Sequence, residues 1–428
     1  MKLLLTGDLH LGRSSTRIRS GPVSPQLRAV DAWNRIVDLA IGEGVSALIL
    51  SGDLIDQDNC FLESIGPLEA GIRKLAAARI HVLAVAGNHD FQVLPRIADQ
   101  IGSDCFRLLG RGGTWERVVI SGPDGESLNV DGWSFPTRHL NYSPLDSYNL
   151  PPDQSRPAIG LVHGDLYDAG STYGFLDIHK LRSTGLSGWL LGHIHKPELM
   201  DAARGSWILY PGSPQALSPA ELGPHGVWFA EVNRGNVSAP VQTAVSSVRY
   251  EELEIKMSGV TTVEEAESHF YQCIRQRASA VHVSGSVGPA VLSFRVNLTG
   301  ESDLSHAMDG VARRVLADLD VRIGGMTVQV EKVSNHTIAA VNLQEYAGTH
   351  TAPGTLADLL LRLDQDHGHF DDEELMALVT DAIRFVDRSR DFSAHLDARP
   401  ADRELARKCI RMEARRLLSQ LVAQIKEP

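Results

Sequence analysis

The sequence predicts an α/β domain over residues 1–245, a small α+β segment over 246–342, and a helical region over 355–428 reached through a linker at 343–354. Three observations predict this. From residue 2 to residue 86, uninterrupted apolar runs alternate with stretches of helical period, as strands covered on both faces require. Each run breaks off into glycine with aspartate, asparagine or histidine, and the ends of α/β strands are where such folds place their sites. Beyond residue 245 the strand-like runs become isolated and then give way to leucine-rich helical stripes.

Composition narrows the function classes. A chain of 428 residues has room for two or three domains, and its 22% charged and 43% hydrophobic content is that of an ordinary globular protein. A formal net charge of −12 excludes binding nucleic acid by bulk charge, so affinity for a polyanion has to come from local basic patches or bound metal ions. The apolar run at the N-terminus is too short for a signal peptide, and no segment reaches the roughly 18 apolar residues of a membrane span. A cytoplasmic protein without a membrane partner is expected. Cys60, Cys105, Cys273 and Cys409 are far apart, which argues against a disulfide framework or a thiolate metal site.

The first strand, residues 2–6, runs into Gly7-Asp8-Leu9-His10. Alternate residues of a strand share a face, so Asp8 and His10 are expected to grip one ion together. Residues 28–41 carry Val30, Trp33, Val37 and Ile41 at helical spacing and are closed by Gly42 and Gly44. The second strand, 45–50, ends in Ser51-Gly52-Asp53-Leu54-Ile55-Asp56. A helix over 65–78 leads to a third strand, 80–86, and to Gly87-Asn88-His89-Asp90. There an amide oxygen can complete a metal's shell, while the neighbouring imidazole can carry a proton near neutral pH.

Residues 115–120 and 127–135 predict a hairpin, and the proline-, tyrosine- and serine-rich stretch 140–157 a surface loop lining a substrate cleft. Two further apolar strands follow, 158–162 ending in His163-Gly164-Asp165, and 188–191 ending in Gly192-His193-Ile194-His195. A lone histidine is more often a satisfied core or surface residue than a ligand. Strand-helix-strand alternation changes that reading, because parallel strands finish at a common edge and bring these residues together from distant positions. Oxygen and nitrogen donors without sulfur suit manganese, iron or zinc. Asp53, with two carboxylate oxygens on a central strand, is the natural bridge between two ions.

In order, D-L-H (8–10), G-D-L-I-D (52–56), G-N-H-D (87–90), H-G-D (163–165) and G-H-I-H (192–195) resemble the five motifs of calcineurin-like metallophosphoesterases. The resemblance implies a β-sandwich flanked by helices and a pair of divalent ions, with Mn2+ the expected metal. It assigns Asp8, His10, Asp53 and His195 to one ion, and Asp53, Asn88, His163 and His193 to the other. His89 becomes the proton donor. Two such cations about 3.5–4 Å apart bind a phosphodiester's oxygens and lower the pKa of a water. Within the superfamily, Asp8 to Gly12, the spacing to Gly52, and Tyr210-Pro211-Gly212-Ser213-Pro214-Gln215 are similar to SbcD-like nuclease subunits of DNA repair complexes. That likeness runs from Met1 to about Val232 and implies nuclease activity on DNA, as an exonuclease, with endonuclease cleavage left open. Asp165 and the 140–157 loop depart from the pattern.

In the C-terminal half, strands are expected at 250–256, 291–298 and 326–333, and helices at 262–275 and 304–319. By the SbcD-like resemblance this segment caps the metals and holds duplex DNA. Leu356, Leu359, Leu360 and Leu363 form one apolar stripe, and Leu375, Leu378, Val379, Ala382 and Val386 a second, capped by Asp371 and Asp372. In a last helix over 402–425, Leu405, Cys409, Met412, Leu417, Leu421 and Ile425 share one side, and Arg403, Arg407, Arg411 and Arg415 form a basic stripe that reads as a solvated face or as a DNA or partner surface. The resemblance implies that this region docks on an SMC-like (SbcC-like) ATPase; a homodimer is the competing reading. A stand-alone phosphoesterase for nucleotides or small phosphodiesters, and a non-catalytic scaffold, are the alternatives for the whole chain.

Overall fold

In a computed structural model, the structure describes residues 1–18, 27–56, 61–102, 106–153, 155–201, 205–284, 288–319, 321–365, 373–387 and 403–426. The capping candidates Asp371 and Asp372, and Cys60 and Cys105, lie outside the described residues. The chain forms two compact units: one of Met1–Glu252, Arg275–Arg295 and Asp320–Lys332, and one of Leu253–Ile274, Val296–Leu319 and Val333–Pro428.

Elements of the first 245 residues follow in chain order: β1 (Lys2–Thr6), α1 (Ala29–Gly42), β2 (Ala47–Leu50), α2 (Phe61–Ala77), β3 (His81–Ala84), α3 (Leu94–Ile101) and β4 (Phe106–Leu108). After these come β5 (Glu116–Ser121), β6 (Ser127–Trp133), β7 (Ala158–His163), α4 (Ile178–Ser183), β8 (Gly188–Gly192), β9 (Glu198–Asp201), β10 (Trp207–Tyr210), β11 (Gly226–Asn233), β12 (Asn236–Val237) and β13 (Val241–Ala244). They build two sheets, ordered β12-β11-β1-β2-β3-β4, with β13 also on β11, and β5-β6-β7-β8-β10-β9. The strands β1 to β4 are mutually parallel, as are β6, β7, β8 and β10, and antiparallel strands close every edge except that formed by β4.

Burial on both faces explains the uninterrupted apolar runs. In β1, Leu3 and Leu5 point into the space between the sheets, where they meet Ile49, Leu83, Val130, Leu161 and Leu190. Leu4 points the opposite way, onto Trp33, Ile36, Ile72 and Leu75 of α1 and α2. The outer face of the second sheet is covered similarly, with Trp133, Val162, Trp189 and Ile208 under Leu181 of α4 and the loop residues Leu140 and Leu145. The result is the helix-flanked β-sandwich that the motifs imply, and the parallel strands β1, β2, β3, β7 and β8 end at the residues singled out above.

Next come β14 (Val248–Lys256), α5 (Val263–Ser284), β15 (Val291–Thr299), α6 (Met308–Asp318), β16 (Val321–Ile323) and β17 (Met326–Asn335), whose strands order as β14-β15-β17-β16. The pairing of Ile323 with Met326 leaves Gly324 and Gly325 as a two-residue turn, at φ 56° and 87°. Two adjacent glycines supply the positive φ values such a hairpin needs.

The helical region holds α7 (Leu343–Tyr346), α8 (Ala352–Gln365), α9 (Glu373–Asp387) and α10 (Arg403–Lys426), so the stretch expected as linker contains a helical turn. The stripe expected on α10 is out of phase. Ala406, Ile410, Ala414, Leu418 and Val422 are buried against Ala357, Leu360, Leu363 and Met376, whereas Met412, Leu417 and Ile425 are exposed. The alanines at 406 and 414 let the helices approach closely, and a search for large apolar residues passes over them. Among the described residues, no helix is long and apolar enough to cross a membrane.

Candidate metal centre

The loops after β1 and β2 are laced together by backbone bonds, Asp8 N–H to Gly52 O at 2.9 Å and His10 N–H to Asp53 O at 3.0 Å. Strand alternation does not aim the side chains as expected. Asp8, His10, Asp53 and His193 have φ of 48°, 46°, 50° and 98°, four of the seven non-glycine residues with positive φ among those described. Such conformations cost about 1–3 kcal/mol each and persist where the surroundings enforce them, most often at functional sites. The motif glycines clear the space. A Cβ on Gly87 would meet Asp53 Oδ1 at 2.2 Å, and one on Gly192 would meet Ser51 O at 2.2 Å and His163 Nδ1 at 2.4 Å.

These turns bring seven of the predicted residues into one cluster. Asp8, His10 and His195 each offer a ligand atom within 4.8 Å of the others, as do Asp8, Asp53 and His163. His163 Nε2 is 3.0 Å from Asn88 Oδ1 and 3.4 Å from Asp53 Oδ2. The His193 ring lies 5.5 Å from that of His163, and its backbone N–H donates to Asp8 Oδ1 at 3.0 Å. Asp8, His10, Asp53, Asn88 and His163 are all buried.

The donor set fits divalent cations. Two imidazole nitrogens, His10 Nε2 and His195 Nε2, face each other at 2.9 Å. Ligands bonded at about 2.1 Å and set at right angles around one ion are separated by about 3 Å. His163 turns Nδ1 to Ser51 O at 3.0 Å, a hydrogen bond that leaves Nε2 for ligation.

Electrostatics agree with this. Burial pushes Asp8 up to about 6, and His10 and His193 down to about 3. Asp53 is held below the usual carboxylate range, against the effect of burial, by His163, His10 and His89. His163 is raised to about 9, burial opposing and Asp53 prevailing. Buried carboxylates that hold histidines protonated are short of positive charge, which a divalent cation would supply.

His89 adjoins this set, since with His10 and Asp56 it forms a third group whose ligand atoms lie within 4.8 Å of one another. Its side chain is 29% exposed, and its Nδ1 is 3.8 Å from Oδ1 of Asp56. The Asp56 carboxylate raises the His89 pKa, favouring the protonated imidazole. Asp56 appears in the sequence only as the end of G-D-L-I-D, yet it is buried and also lies 3.9 Å from His10 Nδ1 and 3.5 Å from Arg13 Nε. Asp90 has a scaffolding part, accepting from Leu54 N–H at 2.7 Å and Gly87 N–H at 2.8 Å. Asp165 caps a turn, accepting from Tyr167 N–H at 2.8 Å. The 140–157 loop packs on the second sheet, and Leu140 bridges to Tyr173, whose half-buried ring is 4.9 Å from His193.

The arginine stripe of α10 is in use within the helical region. Arg407 and Arg411 donate to Leu363 O, at 2.7 and 2.9 Å, capping the last turn of α8. Arg411 and Arg415 pair with Asp364, and Arg415 also with Glu301. Arg403 lines a surface cleft with Glu373, Met376 and Asp381. These contacts give Arg407, Arg411 and Arg415 a structural part beside the surface role that the sequence suggests.

Residues 1–197 match the family model of the calcineurin-like phosphoesterases. Among curated proteins, the chain is 27% identical over 223 residues to the uncharacterized metallophosphoesterase YhaO of Bacillus subtilis (strain 168), covering 49% of this chain and 51% of the relative. It is 25% identical over 297 residues to the DNA double-strand break repair protein Mre11 of Haloferax volcanii, covering 67% and 60%. The chain thus spans about half to three-fifths of the length of these relatives. Among solved structures, a dimetal phosphatase from Danio rerio aligns with a TM-score of 0.37 and 15% identity over 55% of this chain and 93% of that one.

Proposed function

We propose that the chain, whose residues 1–197 match the calcineurin-like phosphoesterase family model, is a metal-dependent DNA nuclease acting in DNA repair, as exonuclease and endonuclease. The observation that carries the hydrolytic chemistry is the convergence of Asp8, His10, Asp53, Asn88, His163, His193 and His195 beside a partly exposed His89 whose pKa is raised. Support for DNA as the substrate comes from the relatives named as double-strand break repair proteins.

In this reading Asp8, His10, Asp53 and His195 hold one divalent ion, and Asp53, Asn88, His163 and His193 a second, with Mn2+ the preferred metal. When bound, the ions supply Lewis-acid polarisation of the phosphodiester and a nucleophile at neutral pH. The protein's own residues do the rest. Asp53 lies between the two ligand sets, and its Oδ1 accepts the His89 N–H at 2.8 Å, fixing the donor's backbone relative to the ligands. Asp56 raises the His89 pKa and so favours the charged imidazole, which can give its proton to the departing sugar oxygen. Tyr173, half-buried beside His193, offers a ring on which a base next to the scissile phosphate can stack.

Residues 246–342 serve as a capping and DNA-binding domain, and residues 355–428 dock an SMC-like ATPase in the cytoplasm. Leu378, Phe385, Met412, Leu417 and Ile425, exposed on α9 and α10, suit such docking. The test is cleavage of end-labelled linear duplex DNA with Mn2+, the His89→Ala variant alongside. Products from wild type alone support the nuclease. Hydrolysis of a small phosphodiester with DNA left intact, with and without a candidate ATPase, would replace it by a stand-alone phosphoesterase.

A further inference from the structure

The segment Tyr210-Pro211-Gly212-Ser213-Pro214-Gln215 stands out in the sequence but supplies none of the ligand set; what it does is hold a ligand in place. Gly212 has φ 73°, and a Cβ there would meet His195 O at 2.6 Å and the Pro197 ring at 2.7 Å. The turn therefore lies directly on the backbone of the H-x-H motif, and Ser213 N–H donates to that same His195 carbonyl at 3.0 Å. From the same turn the Ser213 hydroxyl donates to Glu221 Oε2 at 2.7 Å, and Leu217 N–H donates to that oxygen at 2.8 Å. The other carboxylate oxygen, Oε1, is 3.2 Å from His195 Nδ1. Glu221 is only 11% exposed at its side chain, so these contacts, not water, decide its orientation.

We propose that Glu221 is a positioning residue of the metal centre, which accepts the Nδ1 proton of His195 and so fixes the tautomer and ring orientation that present Nε2 to a divalent ion. The inference rests on the two-ion reading above. A neutral imidazole carries its proton on either nitrogen, and ligation through Nε2 requires it on Nδ1. Ser51 O does this for His163, and Glu221 does it for His195 with a charged acceptor, which makes the stronger hydrogen bond. Ser213 and Leu217 pin one oxygen of the carboxylate so that the other can point only at His195. Ser213 thereby acts twice, through its N–H on the His195 backbone and through its hydroxyl on the residue that orients the His195 ring.

Titration calorimetry of the full chain with Mn2+ tests this, with circular dichroism monitoring the fold. Glu221→Ala is expected to weaken Mn2+ binding about 10- to 100-fold, and Glu221→Gln, which keeps an acceptor, by less. Activity lost by Glu221→Ala at low Mn2+ should return at saturating Mn2+, which a merely structural defect would not allow. If Glu221→Ala does not fold, Ser213→Ala leaves the carboxylate but removes one of the two hydrogen bonds that pin its second oxygen, and a several-fold weaker affinity is expected. Wild-type affinity in a folded Glu221→Ala, or in Ser213→Ala where that variant stands in, overturns the inference alone. A wild-type chain that binds no divalent ion overturns the two-ion reading and this inference with it.

Discussion

His10 Nε2 and His195 Nε2 stand 2.9 Å apart although 185 residues separate them in the chain. Only one proton can sit between two such nitrogens, and burial works against a charge on His10, which is lowered to about 3. With the buried carboxylates Asp8 and Asp53 close by, the pair is best satisfied by a cation that both nitrogens can bind.

The protein should accordingly be more stable with metal than without. A ligand that binds only the folded state at 100 times its Kd stabilises by about 2.7 kcal/mol. Adding Mn2+ to chelator-treated protein should raise the melting temperature by several degrees in a scanning calorimeter, and His10→Ala should lose most of that rise. A melting temperature indifferent to Mn2+ would contradict the assignment of the cluster.

The pairing of Asp56 with His89 sets a pH dependence. A proton donor must be protonated, so turnover should fall as pH rises through the His89 pKa. Because Asp56 raises that pKa, wild type should hold its activity to higher pH than a free imidazole would. In Asp56→Asn the raising charge is gone, so the descending limb should move to lower pH, while His89→Ala should keep its metals and lose about 100- to 10,000-fold in kcat. Rate profiles between pH 5 and 9 decide this, and an unmoved limb in Asp56→Asn would break the link.

How far such relationships can be read in advance depends on whether they leave a period in the sequence. Strands β1, β2, β3, β7 and β8 are buried on both faces, so their apolar runs and polar ends are legible without coordinates. The reason Asp8 and His10 meet is not legible, because left-handed turns at both residues, and not strand alternation, aim them. Glu221 is one acid in a loop with no periodic neighbours, and only the fold brings it to His195. On α10 the buried stripe contains Ala406 and Ala414, which carry little hydrophobic signal, while the more apolar Leu417 is exposed and Leu418 beside it is not.

The ring of Tyr173 lies 4.9 Å from His193, at the edge of the ligand set. A base stacked on an aromatic side chain contributes about 1–3 kcal/mol. Tyr173→Ala should therefore raise KM for a DNA end about 5- to 150-fold, and Tyr173→Phe should keep most of the affinity. An oligonucleotide abasic next to the scissile phosphate should be insensitive to the change. Equal losses on the intact and abasic substrates would mean that Tyr173 only supports His193.

Arg407 and Arg411 present the opposite case, two cations whose basic stripe suggests DNA but whose guanidinium groups converge on one carbonyl, that of Leu363. The last carbonyls of a helix lack intrahelical donors and sit at the negative end of its dipole, so two arginines there satisfy both needs. Arg411 is partly exposed and screened, which lowers its contribution, and the pair together should be worth roughly 1–2 kcal/mol. The double replacement Arg407→Ala with Arg411→Ala should lower the denaturant midpoint of the full chain by that amount. DNA affinity measured across a range of salt should keep its slope, since no phosphate contact is lost. A slope shallower by one or two counterions with stability unchanged would place these arginines on the nucleic acid.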